Sequence, residues 1–287
     1  MSVVYINGEF VATDQAKISV FDRGFLLGDG VYEVIPAYSG QLFRFEEHLL
    51  RLQTSLDAIQ LRNPFDQSQW HNLLSQLVQQ NYQSDLSIYL QVTRGIAVRD
   101  HAFPADTQPT VFAMANPIST LSDQVFENGV AAVTLPDNRW SRCNIKAISL
   151  LPNVLLRQQA VEQGVVEAIL VRDDHITEGA AANVFIVEAG TIITPPKNNE
   201  ILPGITRDLV LELALQHGLS VKEAVISLEQ LKNANEVWLT SSTKEILPVT
   251  NLDQTPVADG KPGETWKTMI QVYRDYKKSL HDKAVTI

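Results

Sequence analysis

Between Glu46 and Ile59 apolar residues return at Leu49, Leu52, Leu56 and Ile59, the spacing of a helix with one buried face. A second helix is predicted over residues 67–81. Around this pair the pattern shortens to strands. Residues 3–11 read as a hairpin, because Asn7-Gly8 sits between β-rich runs. Residues 31–38 and 41–45 read as two strands about Ser39-Gly40, and 86–93 and 110–115 close a first patterned half. Proline and a change of composition at Asn116-Pro117-Ile118-Ser119 mark a break. The second half opens with a strand over 129–135, continues with helices over 153–164 and 206–217, and has extended segments at 167–172, 183–188 and 236–240. A last amphipathic helix is predicted over 264–283, its apolar stripe formed by Trp266, Met269, Ile270 and Tyr273.

The pattern gives an α+β chain of two domains: an N-terminal α/β domain over 1–117, a linker at 118–121 and a larger C-terminal domain over 122–287. A hydrophobic content of 45% is enough for a core in each. The formal net charge of −10 removes any general attraction to nucleic acid or to anionic membranes. The single cysteine, Cys143, excludes an intramolecular disulfide and a cysteine-cluster metal site, so no metal is expected. The N-terminal residues lack a basic stretch followed by an apolar one, and no apolar run reaches the length of a membrane span. A cytoplasmic location is the expectation.

Three segments carry candidate chemistry. In Arg142-Cys143-Asn144-Ile145-Lys146-Ala147-Ile148-Ser149-Leu150-Leu151, one lysine interrupts a mostly apolar run. Most such lysines guard a strand edge or lay their stem along apolar surface. A lysine in apolar surroundings can also lose its preference for the charged form and attack a carbonyl, which is Schiff-base chemistry. Glu178, in Thr177-Glu178-Gly179, follows it and suits a protonated pyridine nitrogen, although these three residues alone would read as a turn. Leu202-Pro203-Gly204-Ile205-Thr206-Arg207 leads into a periodic run, and the backbone N–H groups at such a helix start form an anion site. Together they point to pyridoxal 5'-phosphate, with the helix start on its phosphate.

These segments resemble the fold-type-IV pyridoxal-phosphate enzymes, and within them the D-amino acid transaminases. The resemblance runs from Asn7 to Pro248. It is carried by Asp22-Arg23-Gly24-Phe25-Leu26-Leu27-Gly28-Asp29-Gly30-Val31-Tyr32-Glu33, Glu47-His48-Leu49-Leu50-Arg51-Leu52, Thr93-Arg94-Gly95, Asn144-Ile145-Lys146, Thr177-Glu178-Gly179 with Asn183-Val184-Phe185, Gly204-Ile205-Thr206-Arg207 and Thr240-Ser241-Ser242-Thr243. It implies a cofactor in the cleft between the two domains. Lys146 would hold the cofactor as a Schiff base and move the substrate's α-proton, and Glu178 would pair with the ring nitrogen. Arg51, the amides of Ile205 and Thr206, the Thr206 hydroxyl and the Ser241-Ser242 turn would hold the phosphate.

The same resemblance assigns the substrate carboxylate to Arg99 and His101, on the loop Gly95-Ile96-Ala97-Val98-Arg99-Asp100-His101-Ala102-Phe103-Pro104, together with Tyr32 of a neighbouring subunit. Read without that context, the loop is polar surface. The reaction implied is a ping-pong transfer of the amino group of a D-amino acid to 2-oxoglutarate or pyruvate by a homodimer. Transamination of branched-chain L-amino acids or (R)-amines is the runner-up, and lysis of aminodeoxychorismate comes third. A non-catalytic scaffold would need neither Lys146 nor Glu178. Many members of the family carry serines after the Glu-Gly step, where this chain has Ala180-Ala181-Ala182. Arg139 could approach the cofactor's phenolate oxygen or form a structural salt bridge.

Overall fold

The computed structural model describes residues 2–82, 85–118 and 122–285. The chain folds as two compact units, Met1–Ser119 with Ile145–Leu150, and Thr120–Asn144 with Leu151–Ile287. The lysine segment therefore packs with the first unit, although the sequence on either side of it belongs to the second.

The first unit contains β1 (Val3–Ile6), β2 (Glu9–Ala12), α1 (Arg23–Leu27), β3 (Gly30–Tyr38), β4 (Gln41–Leu42), α2 (Phe45–Ala58), α3 (Gln67–Asn81), β5 (Leu86–Thr93) and β6 (Thr110–Pro117). Its six strands form one antiparallel sheet in the order β2-β1-β6-β5-β3-β4. Asn7 and Gly8, at φ +46° and +104°, make the two-residue turn between β1 and β2. Alternation divides the sheet faces. Val31 and Ile35 of β3 and Ile88 and Leu90 of β5 are buried in one cluster with Leu52 and Leu56 of α2 and Leu74 and Leu77 of α3. Each such side chain contributes roughly 1.5–3 kcal/mol by leaving water. Asp66 and Gln69 close a capping box at the start of α3. The strand predicted over 41–45 shortens to two residues, because Arg44 turns the chain at φ +52° and α2 begins at Phe45.

Asn116 and Pro117 still pair with Ser87 and Leu86. Of the linker expected at 118–121, residues 119–121 lie outside the described ones.

The second unit contains α4 (Asp123–Asn128), β7 (Val130–Pro136), α5 (Leu151–Glu162), β8 (Glu167–Arg172), β9 (His175–Gly179), β10 (Asn183–Glu188), β11 (Thr191–Thr194), α6 (Ile205–Gln216), β12 (Ser220–Glu223), α7 (Leu228–Asn233), β13 (Glu236–Ser241), β14 (Glu245–Leu252), β15 (Thr255–Pro256) and α8 (Glu264–Val285). Its sheet runs β12-β11-β10-β13-β14-β7-β8-β9, with β15 paired to β14. Strand β7 lies parallel to both β14 and β8, and β11 to β12, while the other pairs are antiparallel. Thr177-Glu178-Gly179 is the end of strand β9 rather than a turn, the turn falling at Asp173-Asp174 with φ of +47° and +61°. The stripe of α8 is buried as its spacing predicts, from Trp266 to Tyr273. Glu236 fixes where that helix begins, accepting from the amides of Thr265 and Trp266 at 2.9 Å each. Among the described residues no helix is long and apolar enough to cross a membrane.

Candidate active site

In the first unit Lys146 is held against β3. The amide of Tyr32 donates to Lys146 O at 2.9 Å, the amide of Ile148 donates to Gly30 O at 3.1 Å, and Val31 and Ala147 form an antiparallel bridge. Gly30 makes this approach available, since a Cβ there would meet Val92 O at 2.7 Å and Ile148 Cδ1 at 3.0 Å. The Lys146 amide donates to Ser55 Oγ at 3.2 Å, which ties the segment to α2. The half-buried side chain then crosses the face of Tyr32, with Nζ 4.2 Å from the ring centroid, and Tyr32 stacks on Tyr89 at 5.6 Å. Lys146 and Tyr32 are thus brought together.

Arg51 lies in the same unit, buried and engaged with a carboxylate. Its Nε and Nη2 donate to the two oxygens of Glu33 at 2.8 Å each. Glu33 is wholly buried, yet the Arg51 guanidinium outweighs the cost of burial and holds its carboxyl well below the usual range. An ionised Glu33 has no proton to give, so the 2.8 Å contact to His48 is a bond donated by Nδ1. Burial lowers the His48 pKa despite that acid, so the ring is neutral at pH 7. Arg51, placed on the cofactor's phosphate by resemblance, has its orientation fixed by Glu33, which His48 holds in turn, and sequence reasoning gave neither of them a role. Glu33 sits in a strand while His48 and Arg51 are one helical turn apart, a relation that no short motif spells out. Arg99 and His101 lie exposed on the loop between β5 and β6.

In the second unit Glu178 is the centre of a buried network. Its Oε1 accepts from Arg139 Nη1, and its Oε2 accepts from Asn183 Nδ2 at 3.1 Å and from the Leu202 amide at 3.0 Å. Burial pushes its carboxyl up to about 7, opposed by Arg139 and the Leu202 N–H. Asp137 grips the same guanidinium through Nε and Nη2 at 2.9 Å each, which holds Arg139 protonated. Of the two roles open to Arg139 from sequence, the salt bridge is present, and its partner is the acid of the site.

Asn183 connects this acid to the start of α6. Besides Glu178 it donates to Leu202 O at 2.9 Å, and a Cβ at Gly204 would lie 1.9 Å from its Oδ1, so a larger residue would push the two apart. Gly204 caps α6 without a side-chain acceptor, and Ile205 and Thr206 supply the first two amides of that helix. Ser241 ends β13 and Ser242 lies in the turn that follows. Thr240, paired with Asn183 across the sheet, has a buried Oγ1 with no partner among the described residues. The residues fit a pyridoxal phosphate. When ionised, the Glu178 carboxylate has roughly four acceptor positions, and the three bonds described leave room for a ring N–H. The helix start, with no side-chain cap, suits a phosphate. The alanines at 180–182 offer no hydroxyl, and Ala180 instead uses its carbonyl to accept from Asn153 Nδ2 at 2.8 Å.

Comparison with known proteins agrees with this chemistry. The model of the amino-transferase class IV family matches residues 30–252. A D-alanine aminotransferase from Bacillus licheniformis is 41% identical over 266 residues, covering 93% of this chain and 94% of that one. The D-alanine aminotransferase of Staphylococcus haemolyticus is 39% identical, with 97% and 99% covered. Among solved structures, the branched-chain amino acid aminotransferase of Escherichia coli superposes with a TM-score of 0.89 at 28% identity, covering 96% of this chain and 94% of that one. The branched-chain enzyme of T.th., solved with pyridoxamine 5'-phosphate, gives 0.88 at 26% identity, with 96% and 93% covered. Matched over most of its length by the family model and at about 40% identity by full-length relatives, the chain belongs to the class IV aminotransferases.

Proposed function

We propose that the protein transfers the amino group of a D-amino acid to a 2-oxo acid such as 2-oxoglutarate or pyruvate, with pyridoxal 5'-phosphate as its cofactor. The buried Glu178, backed by Arg139 and Asp137, is the observation that carries the reading. A surface helix or a scaffold would gain nothing from three charged groups packed away from water. When bound, the cofactor supplies the electron sink for the bond broken at the substrate α-carbon. Glu178 holds a proton on the ring nitrogen, and Arg139 holds Glu178 in place to do so. Lys146 Nζ, positioned over Tyr32, takes the α-proton and returns it. Arg51, the Ile205 and Thr206 amides and the hydroxyls of Thr206, Ser241 and Ser242 hold the phosphate.

The likeness to D-alanine aminotransferases supports a D-amino acid as the donor. Arg99 and His101 supply the cation and the hydrogen-bond donor that a substrate carboxylate needs, and Tyr32 adds its hydroxyl. A homodimer brings the loop of one subunit to the Tyr32 of its neighbour. Exposed apolar side chains of the first unit support this: Val20, Phe21, Phe25, Ile96, Val98 and Phe103 are each more than half exposed. Protein loaded with pyridoxal phosphate and mixed with D-alanine and 2-oxoglutarate should form pyruvate and glutamate in equal amounts. Absence of both products, with cofactor bound, would overturn the reading. The branched-chain enzymes among the solved structures make L-leucine the second donor to try.

A further inference from the structure

Arg99 and His101 lie on a loop that lacks regular structure apart from one bridge, Ile96 to Asp22, so something else must hold its backbone. A buried guanidinium does so. Arg23, the first residue of α1, is 2% exposed. Its Nη1 donates to Asp100 O at 2.6 Å and to Ala102 O at 3.3 Å, and its Nη2 reaches His101 O at 3.5 Å. Its Nε is seated on Asp29 Oδ2 at 2.7 Å. The same oxygen accepts from Arg94 Nε at 2.8 Å, and the Arg94 guanidinium lies under the Phe103 ring, 3.7 Å from its centroid. Arg94 is itself locked by the carbonyls of Gln60 and Ile59. One carboxylate thus orients two arginines, and between them they grip every residue of the loop from Asp100 to Phe103.

Only an arginine can span these acceptors, because its planar fork offers several donors in fixed directions where a lysine offers one point charge. A loop left unheld would have to be ordered by the substrate, and that cost weakens every carboxylate ligand alike without touching the proton-transfer step. We propose that Arg23, seated on Asp29 beside Arg94, is a positioning residue for carboxylate recognition: it fixes the turn at 100–102 so that Arg99 and His101 are presented together. This deepens the reading given above and rests on it.

The test compares wild type, Arg23→Met, Arg23→Lys, Phe103→Leu and Arg99→Ala as full-length, cofactor-loaded enzymes. The KM values for D-alanine and 2-oxoglutarate and the inhibition constant of propanoate should all rise about tenfold in Arg23→Met, the effect of losing one charge-assisted contact. Its kcat and the visible spectrum of its cofactor should stay within about twofold of wild type, and amide exchange over 96–104 should quicken. Arg23→Lys should recover part of the loss. Phe103→Leu, which removes the ring over Arg94 but leaves the buried hydrogen bonds of both arginines in place, should move the same three constants in the same direction, and decides the matter if Arg23→Met does not fold. Unchanged constants, or a fall in kcat and cofactor content with KM unmoved, would overturn the positioning role. If Arg99→Ala also leaves the three constants unchanged, the carboxylate-loop reading itself fails. If Arg99→Ala raises them and Arg23→Met does not, the role of Arg23 alone is lost.

Discussion

Arg139 and Glu178 share a buried hydrogen bond in which the arginine is held from behind by Asp137 and the acid from its other oxygen by Asn183 and the Leu202 amide. Neither side chain can turn without leaving a buried charge unpaired. The Glu178 carboxyl is therefore fixed in place and the guanidinium counters its burial, as the proposed pairing with a ring nitrogen requires. Arg139→Lys keeps the charge but cannot reach Asp137 through two nitrogens and Glu178 through a third. Turnover should fall about ten- to hundredfold, the loss of one or two charge-assisted bonds. Steady-state rates on cofactor-saturated protein check this, and an unchanged rate would remove Arg139 from the site.

The cofactor-free protein should show the raised Glu178 pKa in its stability. Burial lifts the group from its ordinary 4.5 to about 7, so between those values the folded chain keeps a proton that the unfolded chain has released. Stability from this group is complete below about pH 4.5, falls as pH rises to about 7, and is flat above. Over that interval the change amounts to about 3 kcal/mol, at 1.36 kcal/mol per pH unit. Glu178→Gln removes it. Urea unfolding at pH 4.5 and 7.5 should show the variant gaining about that much on wild type at the higher pH. A constant difference between the two proteins would contradict the raised value.

Lys146→Ala should abolish turnover, because no other lysine lies in the segments that define the site. Borohydride should fix the cofactor on Lys146 of the wild type, read by peptide mass. Reduced cofactor on another lysine would refute the assignment.

Gly30→Ala tests how the lysine segment is seated. The added Cβ would lie 2.7 Å from Val92 O and 3.0 Å from Ile148 Cδ1, so β3 must draw back from β5 and Ile148 must turn aside, which disturbs the strand edge that seats residues 145–150. A loss of about 1–3 kcal/mol of stability is expected, as for other overpacked sites. Reaction of Lys146 with added pyridoxal phosphate should slow in step. A variant as stable and as fast as wild type would show that the close approach is not needed.

The helices α2 and α3 and the hairpin at Asn7-Gly8 were legible because their signals are local: apolar spacing in one case, positive φ in the other. The Gly204 helix start was legible for the same reason. Long-range partners were not. Glu33, His48 and Arg51 read as a strand acid and two helix cations, which are ordinarily surface residues, and nothing in their spacing of 15 and 18 positions says that they meet in a buried cluster. Arg23 stands in a segment that carries the resemblance, but its hold on the loop gave no signal, since the acceptors there are backbone carbonyls, which every sequence supplies. The move of residues 145–150 into the first unit was hidden too, because pairing with Gly30 and Tyr32 depends on a glycine more than a hundred positions away.

On the proposed reading the substrate carboxylate goes to Arg99 and His101. Arg99→Ala should lower the efficiency with D-alanine about ten- to hundredfold, the value of a charged hydrogen bond, while amines without a carboxylate keep their rates. Equal losses for both donor types would detach the loop from substrate recognition.

The most direct measurement gives the cofactor-loaded enzyme D-alanine, L-alanine or L-leucine, each with 2-oxoglutarate, and compares initial rates. On the proposed reading Lys146 serves one face of the substrate and the carboxylate contacts fix how the substrate lies, so the wrong enantiomer forfeits charged contacts. D-Alanine should be converted about a hundredfold faster than either L-amino acid. L-Leucine turned over as fast as D-alanine would contradict the assignment and place the activity with the branched-chain enzymes.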